Sequence, residues 1–198
     1  MVALRMHPPA RMTLAEFFAW NPDDPSVRSW QLIDGEPVAM APATETHGAS
    51  QMEIGALLRN HLLARGGPCR VISEAGIVPR VRSDRNYRIP DLGVTCAPPS
   101  SNLMIEEPIL LIEILSPRNE VETWANIWAY TTIPSVLEIL VVSSTKIEAE
   151  LLRRRVDGSW PEIPEQIAAD SEVMLESVDF SAALGAFYRT TVLRAIPG

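Results

Sequence analysis

One lysine, Lys146, occurs in 198 residues, and there are only two cysteines, Cys69 and Cys96. Neither cysteine belongs to a CxxC pair, and no His–His or His–Cys spacing of a zinc site occurs. A zinc ribbon or finger is therefore excluded, and the two thiols read as reduced side chains in a reducing cytoplasm. No run of ~18 apolar residues exists, so no membrane-spanning helix is expected. The N-terminal "MVALRMHPPARMTLAEF" lacks an apolar signal core of ~7–15 residues, which makes a cytoplasmic location the expectation. There is no phosphate loop, no dinucleotide fingerprint and no GxSxG nucleophile motif. No repeat, low-complexity block or linker interrupts the chain. Positive charge is also scarce. Seventeen Lys and Arg stand against 25 Asp and Glu, a formal net charge of −8. A protein that coats nucleic acid through bulk charge is excluded, because that requires clustered Lys and Arg. An enzyme that gathers carboxylates around a divalent cation is not excluded. Two local basic strips exist, Arg80, Arg82, Arg85 and Arg88, and the contiguous Arg153, Arg154 and Arg155. Solvated strand and loop faces explain either strip equally well.

What is present is ordinary for a globular chain: 46% hydrophobic and 21% charged residues. The expectation is one α/β-type, mixed α+β domain over residues 1–198, with 1–11 a loose tail. Thr13 and Glu16 form a capping-box pattern that starts a short helix, and "NPDDPS" breaks it. Asp34-Gly35 between apolar flanks predicts a hairpin. Apolar spacing predicts a helix over 46–65, stopped by Gly66-Gly67. "RVIS", "IVPRVR" and "LGVTC" read as short strands. "PILLIEILSP" is a near-continuous apolar run, the pattern of a strand buried on both faces. "NEVETWANIWAYTTI" reads as an amphipathic helix with Trp124, Ile127, Trp128 and Thr131 on one face, so Trp124, Trp128 and Tyr130 are core or dimer contacts. "SVLEILVVS" and "KIEAELLRRRV" are two further strands, and a last helix is expected near "SAALGAFYR".

Two carboxylates carry the chemistry. Asp91 heads the strand "LGVTC" directly after Pro90, and by itself it reads as a turn residue. Glu113 lies inside the apolar run "LLIEIL", where an unpaired carboxylate is costly to bury. A basic partner or a metal would compensate it. If the two strands are neighbours, both carboxylates converge, and an oxygen-only donor set suits Mg²⁺ or Mn²⁺. Such an ion polarises a phosphoryl oxygen and supplies hydroxide near neutral pH.

"WQLIDGEPV", a histidine at the start of a long helix, "RIPDLGV", "LLIEILSP", "WAYTTIPSV" and "EILVV" occur here in one order. This ordered set resembles the Uma-type family of putative restriction endonucleases, part of the PD-(D/E)XK nuclease superfamily, over roughly residues 13 to 190. The resemblance implies a restriction-endonuclease-like core, a mixed β-sheet flanked by helices with the site at one end of the sheet. It implies that Asp91 and Glu113 hold Mg²⁺ or Mn²⁺, with the backbone carbonyl of Ile114 as an extra ligand. Glu36 and His47 are implied at the rim of the site. DNA is the implied partner, and pairing of two sites implies a homodimer. The chain departs from the pattern twice. The family's lysine falls on Asn126, which can donate a hydrogen bond without carrying charge. Loss of such a group typically costs ~10²–10³ in rate. Gln31 stands where a glutamate is usual before "LIDG". Arg118 is a substitute cation by its place just after the strand, although a solvated role explains it as well. Two function classes follow: a Mg²⁺-dependent DNA endonuclease, impaired at Asn126, and a catalytically inactive relative that binds nucleic acid or protein as a homodimer.

Overall fold

The computed structural model describes residues 11–20, 29–117 and 120–194. The expected tail, apart from Arg11, the break at "NPDDPS" and the proposed substitute Arg118 lie outside the described residues. Thr13 caps α1 (Leu14–Ala19) in a capping box with Glu16. A two-residue turn then joins β1 (Trp30–Ile33) to β2 (Glu36–Ala39). Asp34 and Gly35 take φ of 50° and 88°, the left-handed geometry that such a hairpin turn requires. Thr44 caps α2 (Glu45–Arg65) by accepting the His47 N–H, and Gly66 at φ 74° ends it.

A six-stranded mixed sheet forms the centre, in the order β3 (Arg70–Ser73), β4 (Leu92–Thr95), β5 (Pro108–Leu115), β6 (Glu138–Ser143), β7 (Ala149–Arg153), β8 (Glu165–Ile167). Only the β5–β6 pair is parallel. Parallel neighbours need a long crossover, and α3 (Glu120–Tyr130) provides it. A small hairpin, β9 (Glu172–Leu175) and β10 (Phe180–Ala183), completes the fold. This is the mixed α+β architecture that the sequence pattern predicts.

The period-2 alternation of β5 divides the core. Leu110, Ile112 and Ile114 pack with Ile54, Leu58 and Leu62 of α2 on one face. Leu111 packs on the other face with Ile127 and Tyr130 of α3 and with Ile139 and Val141 of β6. Glu113 is odd-numbered, so it points to the α3 face. Covering both faces explains why β5 reads as a continuous apolar run rather than an alternating one.

Several local expectations change. "IVPRVR" contributes only one bridge, Ile77 with Arg88, because a turn with Arg82 at φ 46° occupies its polar end. The last predicted helix is instead β10 followed by a 3-10 turn, Leu184–Tyr188. Pairing with β9 claims residues 180–183 for strand, after Asp179 turns the chain in the left-handed region. On α3 the inward face is Thr123, Asn126, Ile127, Ala129 and Tyr130, whereas Trp128 is 43% exposed. Cys69 and Cys96 are not free thiols. Antiparallel pairing of Arg70 with Thr95 brings them together, and they form a disulfide. Cysteine usage therefore does not argue for a reducing compartment. Among the described residues, no helix is long and apolar enough to cross a membrane.

Candidate active site

Asp91 ends the extended segment that enters β4, and the sheet register brings it to Glu113. Leu92 pairs with Ile112, so one step back along β4 meets one step forward along β5. The Asp91 carboxylate continues the pairing with its side chain, since its Oδ2 accepts the Ile114 N–H at 2.6 Å. Its Oδ1 contacts His47 Nε2 at 2.8 Å. His47 reaches Asp91 from the first turn of α2, which Thr44 starts at the right point. The Asp91 main-chain carbonyl is held as well, by Gln51 Nε2 at 2.9 Å and by the Glu74 N–H at 3.1 Å. Gln51 and Glu74 also line a cavity of about 300 Å³ that opens between α2 and β3.

Glu113 is buried, and its Oε1 accepts the Tyr130 hydroxyl of α3 at 2.5 Å. Burial pushes its carboxyl well above the usual carboxylate range. The Asp91 charge raises it further, while the Tyr130 hydrogen bond works the other way. Burial likewise pushes the Tyr130 phenol well up, with Glu113 adding to the shift, so this hydroxyl stays protonated and donates. No Lys, Arg or His lies within ion-pair distance of Glu113 among the described residues.

A second network lies beside this pair on α3 and the segment before Asp91. Asn126 Oδ1 accepts from Arg88 Nη1 at 2.7 Å, and Asn126 Nδ2 donates to Gln31 Oε1 at 3.4 Å. Gln31 Oε1 also accepts the Ile89 N–H at 3.1 Å. Arg88 Nη2 donates to Asn86 Oδ1 at 3.0 Å. The two departures noted in the sequence, Gln31 and Asn126, are thus in contact with each other. Arg88 was one of four arginines in a strip, but only Arg80 and Arg82 are exposed, and Arg88 is buried. Period-2 pleating explains the difference: Tyr87 and Ile89 pack into the α1–β1 cluster, so Arg88 turns the opposite way. The second strip is structural. Arg153 pairs with buried Glu138 at 2.8 Å, and Arg154 donates to the carbonyls of Thr131, Ile133 and Pro134 just past the end of α3. Lys146 is 71% exposed and faces Glu148.

Asp91, Glu113, His47 and Ile114 therefore converge, whereas Asn126 contacts Arg88 and Gln31 one helical turn before Tyr130. Glu36 is exposed on β2, and no hydrogen bond or ion pair joins it to the carboxylates. Tyr130, Gln51 and Arg88 are the members that residue types alone did not single out for the site. Their common signal is placement of a polar group on an inward position, legible only once the pleat and helix phase are known. Among the described residues, no three or more His, Cys, Asp or Glu side chains surround one point as metal ligands.

A family model described as Uma2, putative restriction endonuclease, matches residues 14–184. The chain belongs to the Uma2 family. Its likeness extends to the uncharacterised protein slr1290 of Synechocystis sp. (strain ATCC 27184 / PCC 6803 / Kazusa), 29% identical over 182 residues, which are 90% of this chain and 92% of that protein. The fold is shared with a crystal structure of a putative nuclease belonging to DUF820 from Anabaena variabilis ATCC 29413. That match has a TM-score of 0.71 at 17% identity and covers 89% of this chain and 97% of the other. In this chain the Asp91–Glu113 pair lies where β4 and β5 meet, with α2 reaching Asp91 and α3 reaching Glu113.

Proposed function

We propose that this Uma2 protein is a divalent-metal-dependent DNA endonuclease, with Asp91 and Glu113 as the protein ligands of Mg²⁺ or Mn²⁺. The observation that carries this reading is Glu113, a buried carboxylate set against a second carboxylate, with no cation beside it among the described residues. Such a pair is costly unless a positive charge joins it. The donor set fits a hard cation. Each carboxylate offers about four acceptor sites. Asp91 spends one on His47 and one on Ile114, and Glu113 spends one on Tyr130. Mg²⁺ commonly takes one or two protein carboxylates and fills the rest with water and phosphate oxygens. Two carboxylates match that habit, and the Ile114 carbonyl is a further oxygen next to Glu113. When bound, the ion would polarise the scissile phosphate and lower the pKa of an attacking water. The chain's own residues hold the carboxylates ready: His47 and the Ile114 N–H orient Asp91, and Tyr130 orients Glu113. Cutting both strands calls for two such sites, so a homodimer belongs to this reading, testable by light scattering.

Plasmid DNA incubated with the purified protein and Mg²⁺ or Mn²⁺ tests the assignment. Nicking or linearisation is expected from the wild type, and Asp91→Ala should reduce the rate by at least ~10². Cleavage that survives Asp91→Ala would sink it. A second reading, a nuclease fold that binds without cutting, is favoured by Asn126, whose amide is already committed to Arg88 and Gln31. Under that reading the wild type cuts nothing, and Mn²⁺ gives no heat of binding in calorimetry.

A further inference from the structure

We propose that Arg88 is the cation of this site, binding a phosphate of the nucleic-acid backbone beside Asp91 and Glu113, with Asn126 as the residue that positions it. The inference rests on the nuclease reading and adds a substrate contact to it. Arg88 is only 5% exposed, and among the described residues no carboxylate lies within ion-pair distance of its guanidinium. Its two terminal nitrogens meet neutral amide oxygens, Asn126 Oδ1 at 2.7 Å and Asn86 Oδ1 at 3.0 Å. Its Nε is buried and has no partner. The carboxylate whose charge it feels is Asp34, and Asp34 is engaged by Arg82 at 2.8 Å and by the Asn86 amide at 3.1 Å.

A buried guanidinium costs more than two neutral acceptors return, unless an anion completes it. Keeping it charged is not in question, because arginine does not deprotonate in proteins. The fold also holds it rigidly. The Arg88 main chain exchanges both hydrogen bonds with Ile77, at 2.8 and 2.9 Å, and Pro90 stiffens the step to Asp91. The guanidinium lies on the α3 side, where Nη1 donates to Asn126, one helical turn before the Tyr130 that donates to Glu113. A planar guanidinium with unused N–H capacity suits phosphate oxygens. Asn126 fits this role better than a lysine would, since an ammonium there would press against Arg88.

Binding of fluorescein-labelled duplex DNA by the full chain, followed by anisotropy in Ca²⁺ over a salt series, tests the proposal. Arg88→Gln keeps hydrogen-bond donors and removes the charge. It should bind about tenfold more weakly, and the slope of log affinity against log salt should fall by about one. Arg88→Lys should keep the slope, and Asn126→Lys in the Arg88→Gln background should restore it. An unchanged slope in folded Arg88→Gln overturns the proposal, because a purely structural bracket would alter melting and leave the counterion count alone. If Arg88→Gln does not fold, the wild-type Nε–H resonance of Arg88 decides: it should move when duplex is added, and a stationary signal overturns the proposal. No cleavage is needed for either readout. Arg88-dependent binding without cleavage in Mg²⁺ refutes the nuclease reading alone. Asp91-dependent cleavage with Arg88-independent binding refutes the Arg88 assignment alone.

Discussion

Glu113 sits between Ile112 and Ile114 of β5, and its carboxyl meets the Tyr130 hydroxyl at 2.5 Å and the neighbouring Asp91 carboxylate. Without metal, burial and the Asp91 charge both resist ionisation of Glu113, which works against folding. Glu113→Gln keeps the shape and the Tyr130 contact but removes the ionisable group. It should stabilise the metal-free protein by on the order of 1 kcal/mol. It should also abolish the rise in melting temperature that Mn²⁺ gives the wild type, since an ion bound only by the folded state stabilises it by mass action. Thermal melts in EDTA and in Mn²⁺ measure both effects. A Glu113→Gln protein that melts lower in EDTA would show that the carboxylate is a structural acceptor rather than a ligand. Tyr130 matters for the same reason, since it gives Glu113 Oε1 a hydrogen-bond donor.

At the level of elements, the β1–β2 hairpin delivers Gln31 to Asn126 and to the Ile89 N–H. Its turn depends on Gly35. A Cβ at Gly35 would stand 3.0 Å from the Met12 carbonyl oxygen and 3.2 Å from Arg11 Cβ, at a φ of 88° that L-residues rarely adopt. Gly35→Ala is therefore expected to cost roughly 1–3 kcal/mol, read from urea denaturation. Metal affinity in the folded variant should stay near wild type, because no hydrogen bond joins the turn to either carboxylate. α2 and α3 act as jaws on the sheet. α2 carries His47 and Gln51 to Asp91, and α3 carries Tyr130 to Glu113 and Asn126 to Arg88. Both assignments follow from helix phase, since inward-facing positions on each helix are the ones that reach the strand ends.

For the molecule as a whole, buried tyrosines are expected to set the alkaline limit. Burial raises the phenols of Tyr87 and Tyr188 above their ordinary value of 10.0. The folded state therefore binds these protons more tightly than the unfolded chain. The stability this contributes is fully present below about pH 10, and it is lost as pH rises toward the folded-state values. Tyr188 donates to the carbonyls of Ser143 and Glu148 at 2.8 and 3.1 Å, tying the C-terminal turn to β6 and the loop after it. Tyr188→Phe should lose about 1 kcal/mol near neutral pH and show a shallower decline between pH 10 and 12. Circular dichroism melts across that range test it. An equally steep decline in Tyr188→Phe would assign the alkaline limit to other groups.

Local chemistry alone was enough for the start of α1, the Asp34-Gly35 turn, α2, the doubly buried β5 and the crossover helix, because caps, turn residues and apolar periodicity act over a few positions. The same reading paired Asp91 with Glu113, since a carboxylate in an apolar run demands a partner. The order of short motifs made the family visible. What it could not reach was anything that depends on which side a pleat or helix turns. The pairing of Cys69 with Cys96 needed the β3–β4 register. The last "helix" became a strand because β9 offered hydrogen bonds that local propensity does not register. Arg88 looked like one of four arginines in a basic strip, and Gln31 and Asn126 like two separate losses of charge. Only the packing of β1, α3 and the segment before Asp91 joined those three side chains, since burial and counter-charge are properties of the assembled core and not of any stretch of the chain.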